Sequence, residues 1–405
     1  YFYNGKSHDS LHRVKEIVSE LPSVEKVVVF PLVDEEPEVH DLLTAETLSH
    51  FIGDFDPAEI DFAQMPFNHP LYIMYSSGTT GVPKCIVHGA GGTLLNQVKE
   101  HVLHCDAKPG DRVFYFTTCG WMMWNWLMAG LAAEATLMLY DGSPFYPSGN
   151  ILFDYADAEK IIFFGTSAKY IDACHKAGIK PAETHNLETV QALLSTGSPL
   201  SEESYHYVYR DIKADLQLSS ISGGTDIISC FVLGNPTLPV YAGEIQCIGL
   251  GMAVEIWDDD GTARGAGEGK GELVCTRSFP SCPIGFWNDD HGEKFHNAYF
   301  DRFENIWAHG DFAELTRHGG IIIHGRSDAI LNPGGVRIGS AEIYRQLEPL
   351  DAILDSVVIG QRWQDDVRVV LFVVLREGVR LDDTLQQQIR QQIRQHTTPR
   401  HVPAK

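Results

Sequence analysis

The 405-residue sequence contains no C-x-x-C pair, and its eight cysteines follow no regular spacing. That speaks against both a cysteine zinc site and a disulfide framework; reduced, mostly buried thiols and a cytoplasmic location are expected instead. Positive charge is also scarce. The net charge is −23, which argues against nucleic acid or an anionic membrane as a main partner. Any phosphate site must therefore be made locally, from backbone amides and a few placed cations. A clean apolar run of the roughly 20 residues that a spanning helix needs is missing too. The nearest approach, Trp121 to Tyr140, contains Asn125 and Glu134 and reads as a buried helix followed by a buried strand. The opening Tyr1-Phe2-Tyr3-Asn4-Gly5-Lys6 has no apolar signal core. Internal repeats and low-complexity tracts are absent.

What is there is an ordinary soluble composition, 44% apolar and 21% charged, at a length that implies two domains or one large composite one. The most informative stretch is Tyr75–Lys84, YSSGTTGVPK. Its glycines let the backbone bend and bring N–H groups close to an anion. Ser76, Ser77, Thr79 and Thr80 add hydroxyls, and Lys84 adds a charge. The inventory suits a polyphosphate, although a Ser/Gly surface turn has a similar composition. It is not a Walker A loop, because Lys84 follows Pro83 and precedes Cys85.

Taken in order, residues 8–21 place Leu11, Val14, Ile17, Val18 and Leu21 on one helical face. Val24–Val33 reads as a buried strand, and 34–70 as a surface excursion with a short helix near 45–52. Leu71–Met74 is a short strand and His88–Val102 a helix. Strands are expected at Val113–Phe116, Thr136–Tyr140, Ala158–Phe164, Val190–Leu194 and Leu216–Ile221, with a buried helix over Trp124–Ala133. Helix and strand alternate as in α/β proteins. Several of these strands end in Gly/Ser/Thr loops, and ligands of open α/β sheets bind at such strand ends.

After about Pro239 short strands separated by Gly- and Asp-rich turns predict a β-rich subdomain: Glu244–Gly249, Ala253–Trp257, Gly271–Thr276 and Glu304–Trp307. The last ~75 residues read as a small α+β domain, with helices over Ser340–Leu350 and Gln386–His396 and strands over Ser356–Val358 and Arg368–Val374. The expected fold class is thus an α/β large domain, with parallel-rich sheets and a β-rich subdomain, followed by a small α+β C-terminal domain. Asp311, at the end of Trp307-Ala308-His309-Gly310-Asp311, is a carboxylate placed to accept both hydroxyls of a ribose, although a Gly-Asp pair is also a common turn. Arg326 and Arg337 are cations in glycine-rich surroundings, and each alone could be a solvated surface arginine.

YSSGTTGVPK, SGGTD, WAHGD and GRSDAILNPGGVR occur in the order seen in the adenylate-forming enzymes, which include acyl-CoA synthetases, luciferases and peptide-synthetase adenylation domains. The resemblance covers nearly the whole chain. Within that family, GWMMWNW (120–126), LYDGSP, LSTGSPL, SISGGTDIISCF and LNPGGVRIGSAEIY resemble the acetoacetyl-CoA synthetases more than the acetyl-CoA synthetases. The resemblance implies an acetyl-CoA synthetase-like fold with a large AMP-binding domain over 1–327, its β-rich subdomain at about 240–320, and a mobile small domain over 328–405. It implies ATP, Mg²⁺ and CoA as reactants and acetoacetate as the acid, joined through an acyl-adenylate. Position by position, Ser76, Ser77, Gly78, Thr79, Thr80, Gly81 and Lys84 would hold the β- and γ-phosphates. Gly197, Ser198, Pro199, Ser222, Gly223 and Gly224 would enclose adenine. Thr225 would bond the α-phosphate and Asp226 would hold Mg²⁺. Asp311, helped by Arg326, would bind the ribose, and Arg337 would face the α-phosphate. Asp328 matches the hinge, and Gly334 and Gly335 the loop that lines the pantetheine channel. Trp121, Met122 and Met123 align with the acyl pocket, or simply begin a core helix; Asn125 is a candidate donor to a ketone.

Relatives carry a C-terminal lysine needed for adenylation, but Lys405 stands in a different context and is given no such role. The chain is accordingly expected to be a piece lacking that segment and an N-terminal part. Two alternatives stay open: a synthetase for another short acid (acetate, propionate or 3-hydroxybutyrate), and a nucleotide- or CoA-binding module without catalysis. The oligomeric state is not legible.

Overall fold

Runs of β-branched and aromatic residues too short for helices build the sheet at the centre of this chain. The computed structural model describes residues 1–39, 42, 44–76, 83–327, 331, 338–363 and 366–405. The chain divides into two units, Tyr1–Met65 with Tyr140–Leu152, and Pro66–Leu139 with Phe153–Lys405.

In the first unit the helix expected over 8–21 spans Leu11–Ser19, but none of its residues is fully buried. The strand expected over Val24–Val33 is only Val27–Val29, paired in parallel with Ala45–Thr47. Phe30, Leu32 and Val33 are exposed, because among the described residues no second layer packs on them. The segment expected to be a short helix is therefore a strand, Ala45–Thr47, followed by the helix Leu48–Gly53.

The second unit holds a five-stranded sheet, ordered Gln217–Ser220, Ala192–Thr196, Phe163–Ser167, Arg112–Tyr115 and Thr136–Met138, parallel throughout. Successive residues such as Val113 and Phe114, Phe163 and Phe164, and Leu193 and Leu194 are all buried. Burial on both faces is why these strands read as unbroken apolar runs. The strand expected at Ala158–Phe164 lies later: Ile151–Ala158 is a helix, and pairing starts at Phe163.

Beside it, Pro70–Ser76 and Lys84–Gly89 form an antiparallel pair extended by Gly285–Phe286. The helix expected from His88 therefore starts at Ala90 and ends near His104, its last turn widened so that Cys105 N–H bonds to Glu100 C=O at 3.0 Å. The β-rich subdomain is a four-stranded antiparallel sheet of Val254–Trp257, Lys270–Cys275, Trp307–Leu315 and Ile321–Arg326. Its third strand begins where Glu304–Trp307 was expected to end. Of the expected Glu244–Gly249 strand, Cys247–Ile248 extends the antiparallel pair Ser222–Gly224 and Ser229–Leu233, and Ile245 makes a separate antiparallel bridge to Ile321.

The C-terminal part packs Ser340–Leu347 and Asp383–His396 on the ribbon Ile353–Trp363 and Asp366–Leu375. Asp382 caps the last helix by accepting from Leu385 N–H at 2.9 Å. Leu385, Ile389 and Ile393 recur every four residues and are buried, while the intervening Gln and Arg face water. Burying each stabilises by about 1.5–3 kcal/mol. Arg345 ties this part to the β-rich sheet by donating to the Ile323 carbonyl at 2.9 Å, and Lys270 pairs with Glu342 at 2.7 Å. The expected domain boundary falls at Asp328, outside the described residues. Among the described residues no helix is long and apolar enough to cross a membrane.

Candidate active site

Antiparallel pairing of Pro70–Ser76 with Lys84–Gly89 ends at the pair Ser76–Lys84, so the two ends of the glycine-rich loop lie side by side. Ser77, Gly78, Thr79, Thr80 and Gly81, between them, lie outside the described residues, as do Asp328, Gly334, Gly335 and Arg337. The Ser76 hydroxyl is buried without a hydrogen-bond partner among the described residues. Lys84 is half-buried and forms an ion pair with Asp226. Its ammonium also sits 4.9 Å from the ring centre of Tyr299 and 3.4 Å from that hydroxyl.

Asp226 lies in the turn that joins Ser222–Gly224 to Ser229–Leu233. A Cβ on Gly223 would come within 2.2 Å of the Ser229 carbonyl oxygen, so this position admits only glycine without backbone movement. Burial pushes the Asp226 carboxyl up, but Lys84 and His309, with hydrogen bonds from Lys84 and Tyr299, outweigh it and hold it below the usual carboxylate range. Tyr299 donates to Asp226 Oδ1 at 2.6 Å. Burial first, and then the Asp226 charge, drive the Tyr299 hydroxyl far above the ordinary tyrosine value, so it stays a donor. The neighbouring Thr225 is positioned through its carbonyl, which accepts from His88 Nε2 at 2.9 Å. Burial lowers His88 to about 4, so it makes this bond as a neutral ring.

Asp311 and Arg326 face each other across adjacent strands of the β-rich sheet. Arg326 Nη1 donates to Asp311 Oδ1 and to the His309 carbonyl, both at 3.1 Å. Between them, Gly310 has φ +83°, and a Cβ there would lie 2.4 Å from Arg326 Nη2. Its N–H donates to Glu272 Oε1 at 2.6 Å. Glu272 is fully buried and also takes Arg302 and the Ser327 hydroxyl. Ser222 Oγ reaches Asp311 Oδ2 at 3.4 Å. His309 Nδ1 accepts from Trp307 Nε1 at 3.4 Å, and its Nε2 lies 3.8 Å from Asp311 Oδ2.

These groups surround one cavity of about 450 Å³, a volume ordinary for a small-ligand site. Gly197, Ser198 and Pro199, Ser222 to Thr225, Asp311 and Arg326 line it, as do Trp121, Met122 and Met123. Gly197 adopts φ +91° directly after the strand Ala192–Thr196. Trp121, Met122 and Met123 also belong to the core beneath the parallel sheet, so pocket wall and core are the same residues here. Asn125 is buried in the same helix but is not among the cavity's lining residues, which removes it as the ketone donor. Asp226 does not line the cavity directly; it stands behind Thr225, with Lys84.

Tyr299, Glu272 and His88 were not legible as site residues. The only available signals were a lone Glu in the apolar strand Lys270–Cys275 and the inward position of His88 on Lys84–Gly89. Among the described residues no group of three His, Cys, Asp or Glu side chains could hold a metal.

A polyphosphate-type loop ending in lysine, a paired carboxylate and arginine, and a glycine-lined slot around one cavity form the pattern of a nucleotide-activating site. The model of the family described as "AMP-binding enzyme" matches residues 3–279. The chain belongs to that family. An acetoacetyl-coenzyme A synthetase of Rhizobium meliloti is 58% identical over this whole chain and 62% of its own length. A malonamoyl-CoA synthetase of Penicillium aethiopicum is 42% identical over 99% of this chain and 58% of its own. The solved acetoacetyl-CoA synthetase of Streptomyces lividans superposes with a TM-score of 0.90 at 43% identity, over all of this chain and 61% of that one. The chain thus spans about 60% of the length of the relatives it matches. The fold of this AMP-binding enzyme is the adenylate-forming one.

Proposed function

We propose that the chain carries the adenylating centre of an AMP-forming acid–CoA ligase whose acid is acetoacetate. The observation that carries the reading is the convergence of Thr225, backed by the Lys84–Asp226–Tyr299 cluster, and the Asp311–Arg326 pair on a single cavity. In the first half-reaction the acid's carboxylate attacks the α-phosphorus of ATP, and pyrophosphate leaves. In the second, the CoA thiol displaces AMP from the acyl-adenylate.

The chain's own residues bind, orient and neutralise charge, with no covalent nucleophile required. Ser76–Gly81 and Lys84 hold the β- and γ-phosphates, and Lys84 exchanges its Asp226 partner for them. Gly197–Pro199 and Ser222–Gly224 enclose the base, Asp311 and Arg326 bind the ribose, and Thr225 and Arg337 meet the α-phosphate. A divalent cation fits the donor set, because Mg²⁺ is commonly held by one or two carboxylates plus substrate phosphates. Asp226 would hold it, and bound there it would neutralise charge on the phosphates. Asp328 serves as the hinge of a mobile domain over 328–405, separated from the large domain over 1–327, and Gly334-Gly335 line the pantetheine channel after rotation. A cytoplasmic setting agrees with the free cysteines.

The substrate reading draws support from the two acyl groups named in the relatives. Acetoacetyl and malonamoyl both carry a carbonyl on the third carbon. Acid-dependent exchange of pyrophosphate into ATP, measured with the complete protein over acetate, propionate, 3-hydroxybutyrate, malonamate and acetoacetate, tests the proposal. Exchange should be fastest with acetoacetate. Exchange with none of the acids would leave a binding module without catalysis, and a preference for acetate would overturn the substrate.

A further inference from the structure

One side-chain cluster on the cavity wall belongs to none of the motifs above. The helix that follows Lys84–Gly89 buries a polar face made of Asn96, Gln97, Glu100, His101 and His104. Most of these groups bond to neighbouring backbone. Gln97 donates to the Ile228 carbonyl at 2.8 Å. His101 donates to the Trp126 carbonyl at 2.8 Å and stacks on that indole. His104 donates from Nδ1 to the Gly234 carbonyl at 2.9 Å and accepts at Nε2 from Leu250 N–H at 3.1 Å. These contacts fasten the helix to its neighbours, and a structural role accounts for them.

Glu100 differs. Its carboxyl is 1% exposed, yet it lines the cavity together with Trp121, Met122, Met123, Trp126 and Ser229. It accepts from Trp126 Nε1 at 2.9 Å, from Asn96 at 3.3 Å and from the Ser229 hydroxyl. Lys99 stands 3.7 Å away but donates to the Leu250 carbonyl. Ser229 is the cross-strand partner of Gly224, and Thr225 follows Gly224. Paired residues of an antiparallel ladder lie about 4.5–5.5 Å apart at Cα. The Ser229 backbone therefore runs directly beside the strand that leads into Thr225.

We infer that Glu100, with the Ser229 hydroxyl beside it, forms the polar end of the acyl subsite and selects acids with a carbonyl oxygen on the third carbon. This rests on the reading of the reaction given above. A ketone oxygen only accepts hydrogen bonds, so the wall that meets it must donate. Burial drives the Glu100 carboxyl upward, against Lys99 and its hydrogen bonds, which favours the neutral acid with an O–H to give. The two thioethers and two indoles of Met122, Met123, Trp121 and Trp126, which line the same cavity, suit the carbon chain. An acid lacking the carbonyl leaves the Glu100 O–H without its partner, and a buried polar group left unpaired is what gives such sites their discrimination.

The test compares acetoacetate with butyrate, which has CH₂ in place of the carbonyl, by acid-dependent pyrophosphate exchange in the complete protein. The readout is the ratio of the two kcat/KM values, which does not depend on how much of a preparation is folded. The wild type should favour acetoacetate. Glu100→Leu should lower the ratio by about 10- to 100-fold, whereas Glu100→Gln, which keeps a donor of similar size, should hold it within about 3-fold. Ser229→Ala should lower it by a smaller factor, and it decides the matter if Glu100→Leu yields no folded protein. An unchanged ratio in Glu100→Leu and Ser229→Ala, or equal losses on both acids, overturns the inference while leaving the reaction intact. A wild type with no acetoacetate-dependent exchange overturns both.

Discussion

Tyr299 lies in none of the glycine-rich motifs, yet its hydroxyl is bonded at 2.6 Å to the carboxylate that Lys84 also holds. Tyr299→Phe removes that hydroxyl and nothing else. The ring keeps its stack on Trp307, at 3.8 Å between centroids, and its face toward the Lys84 ammonium. A hydrogen bond to a charged acceptor contributes about 1.5–3 kcal/mol net. Asp226 keeps Lys84, so the loss should fall in that range and not reach the cost of an unpaired buried charge. The sign with pH follows from linkage. The folded Asp226 is held below its ordinary value, so its contribution is present above the unfolded carboxylate range and is lost as pH falls through the folded value. Wild type and Tyr299→Phe should therefore differ by about 1.5–3 kcal/mol near neutral pH, and the difference should shrink toward that of a neutral hydrogen bond, about 0.5–1.5 kcal/mol, in acid. Urea unfolding followed by tryptophan fluorescence measures this, since Trp307 is stacked on the substituted ring. A gap that is absent at neutral pH, or as large in acid, would refute the charge-assisted bond.

Gly310→Ala places a methyl 2.4 Å from the Arg326 guanidinium at a φ of +83°; it should cost about 1–3 kcal/mol in thermal unfolding and weaken AMP binding measured by calorimetry. Burial sets both His88 and His101 at about 4 when folded, so the unfolded chain takes up protons first and stability should fall between about pH 6.5 and pH 4. Each ring accounts for roughly 3 kcal/mol at the acid end, and His88→Gln or His101→Gln should flatten that slope in pH-dependent denaturation. Lys84→Met should destabilise more than Lys84→Met combined with Asp226→Asn, because the single change leaves a largely buried carboxylate without its cation. Additive losses in this double-mutant cycle would show that the pair is not coupled.

The parts of the fold that could be read from the residues were those in which burial leaves a pattern. Phe163-Phe164 and Leu193-Leu194 are apolar on both faces because both faces are covered, and the strands stand within a few residues of expectation. Val24–Val33 carries the same β-branched signal, but Phe30 and Leu32 are exposed, and pairing stops after three residues. Ser222–Gly224 carries no strand signal, since a segment of Ser and Gly has no apolar side chains to alternate. The site divides in the same way. Thr225, Asp226, Asp311 and Arg326 stand in loops whose glycines announce them. His88 reaches Thr225 across 137 residues, Tyr299 reaches Asp226 across 73, and Glu272 reaches Gly310 across 38. Nothing local to those three residues encodes their partners, which meet only because a hairpin, a helix and an antiparallel sheet converge.

In a chain of net charge −23, an anionic substrate is drawn in only where that charge is cancelled locally. Two carboxylates of the site each carry a cation: Lys84 on Asp226, and Arg326 on Asp311. Neither pair is deeply buried, with Lys84 25% and Arg326 50% exposed at the side chain, so both cations can turn toward an incoming anion. The carboxylates are fixed more firmly than their partners. Tyr299 holds Asp226, while Ser222 and the Asp311–Arg326 register hold Asp311. Binding a polyphosphate thus amounts to exchanging one partner of a preformed charge pair. The rigid member remains oriented for a cation or for ribose hydroxyls, and little reorganisation is left for the reacting complex. That division, with acids fixed by hydrogen bonds and strand register and bases on longer, half-exposed side chains, explains why removing Tyr299 and removing Lys84 should act differently although both touch the same oxygen.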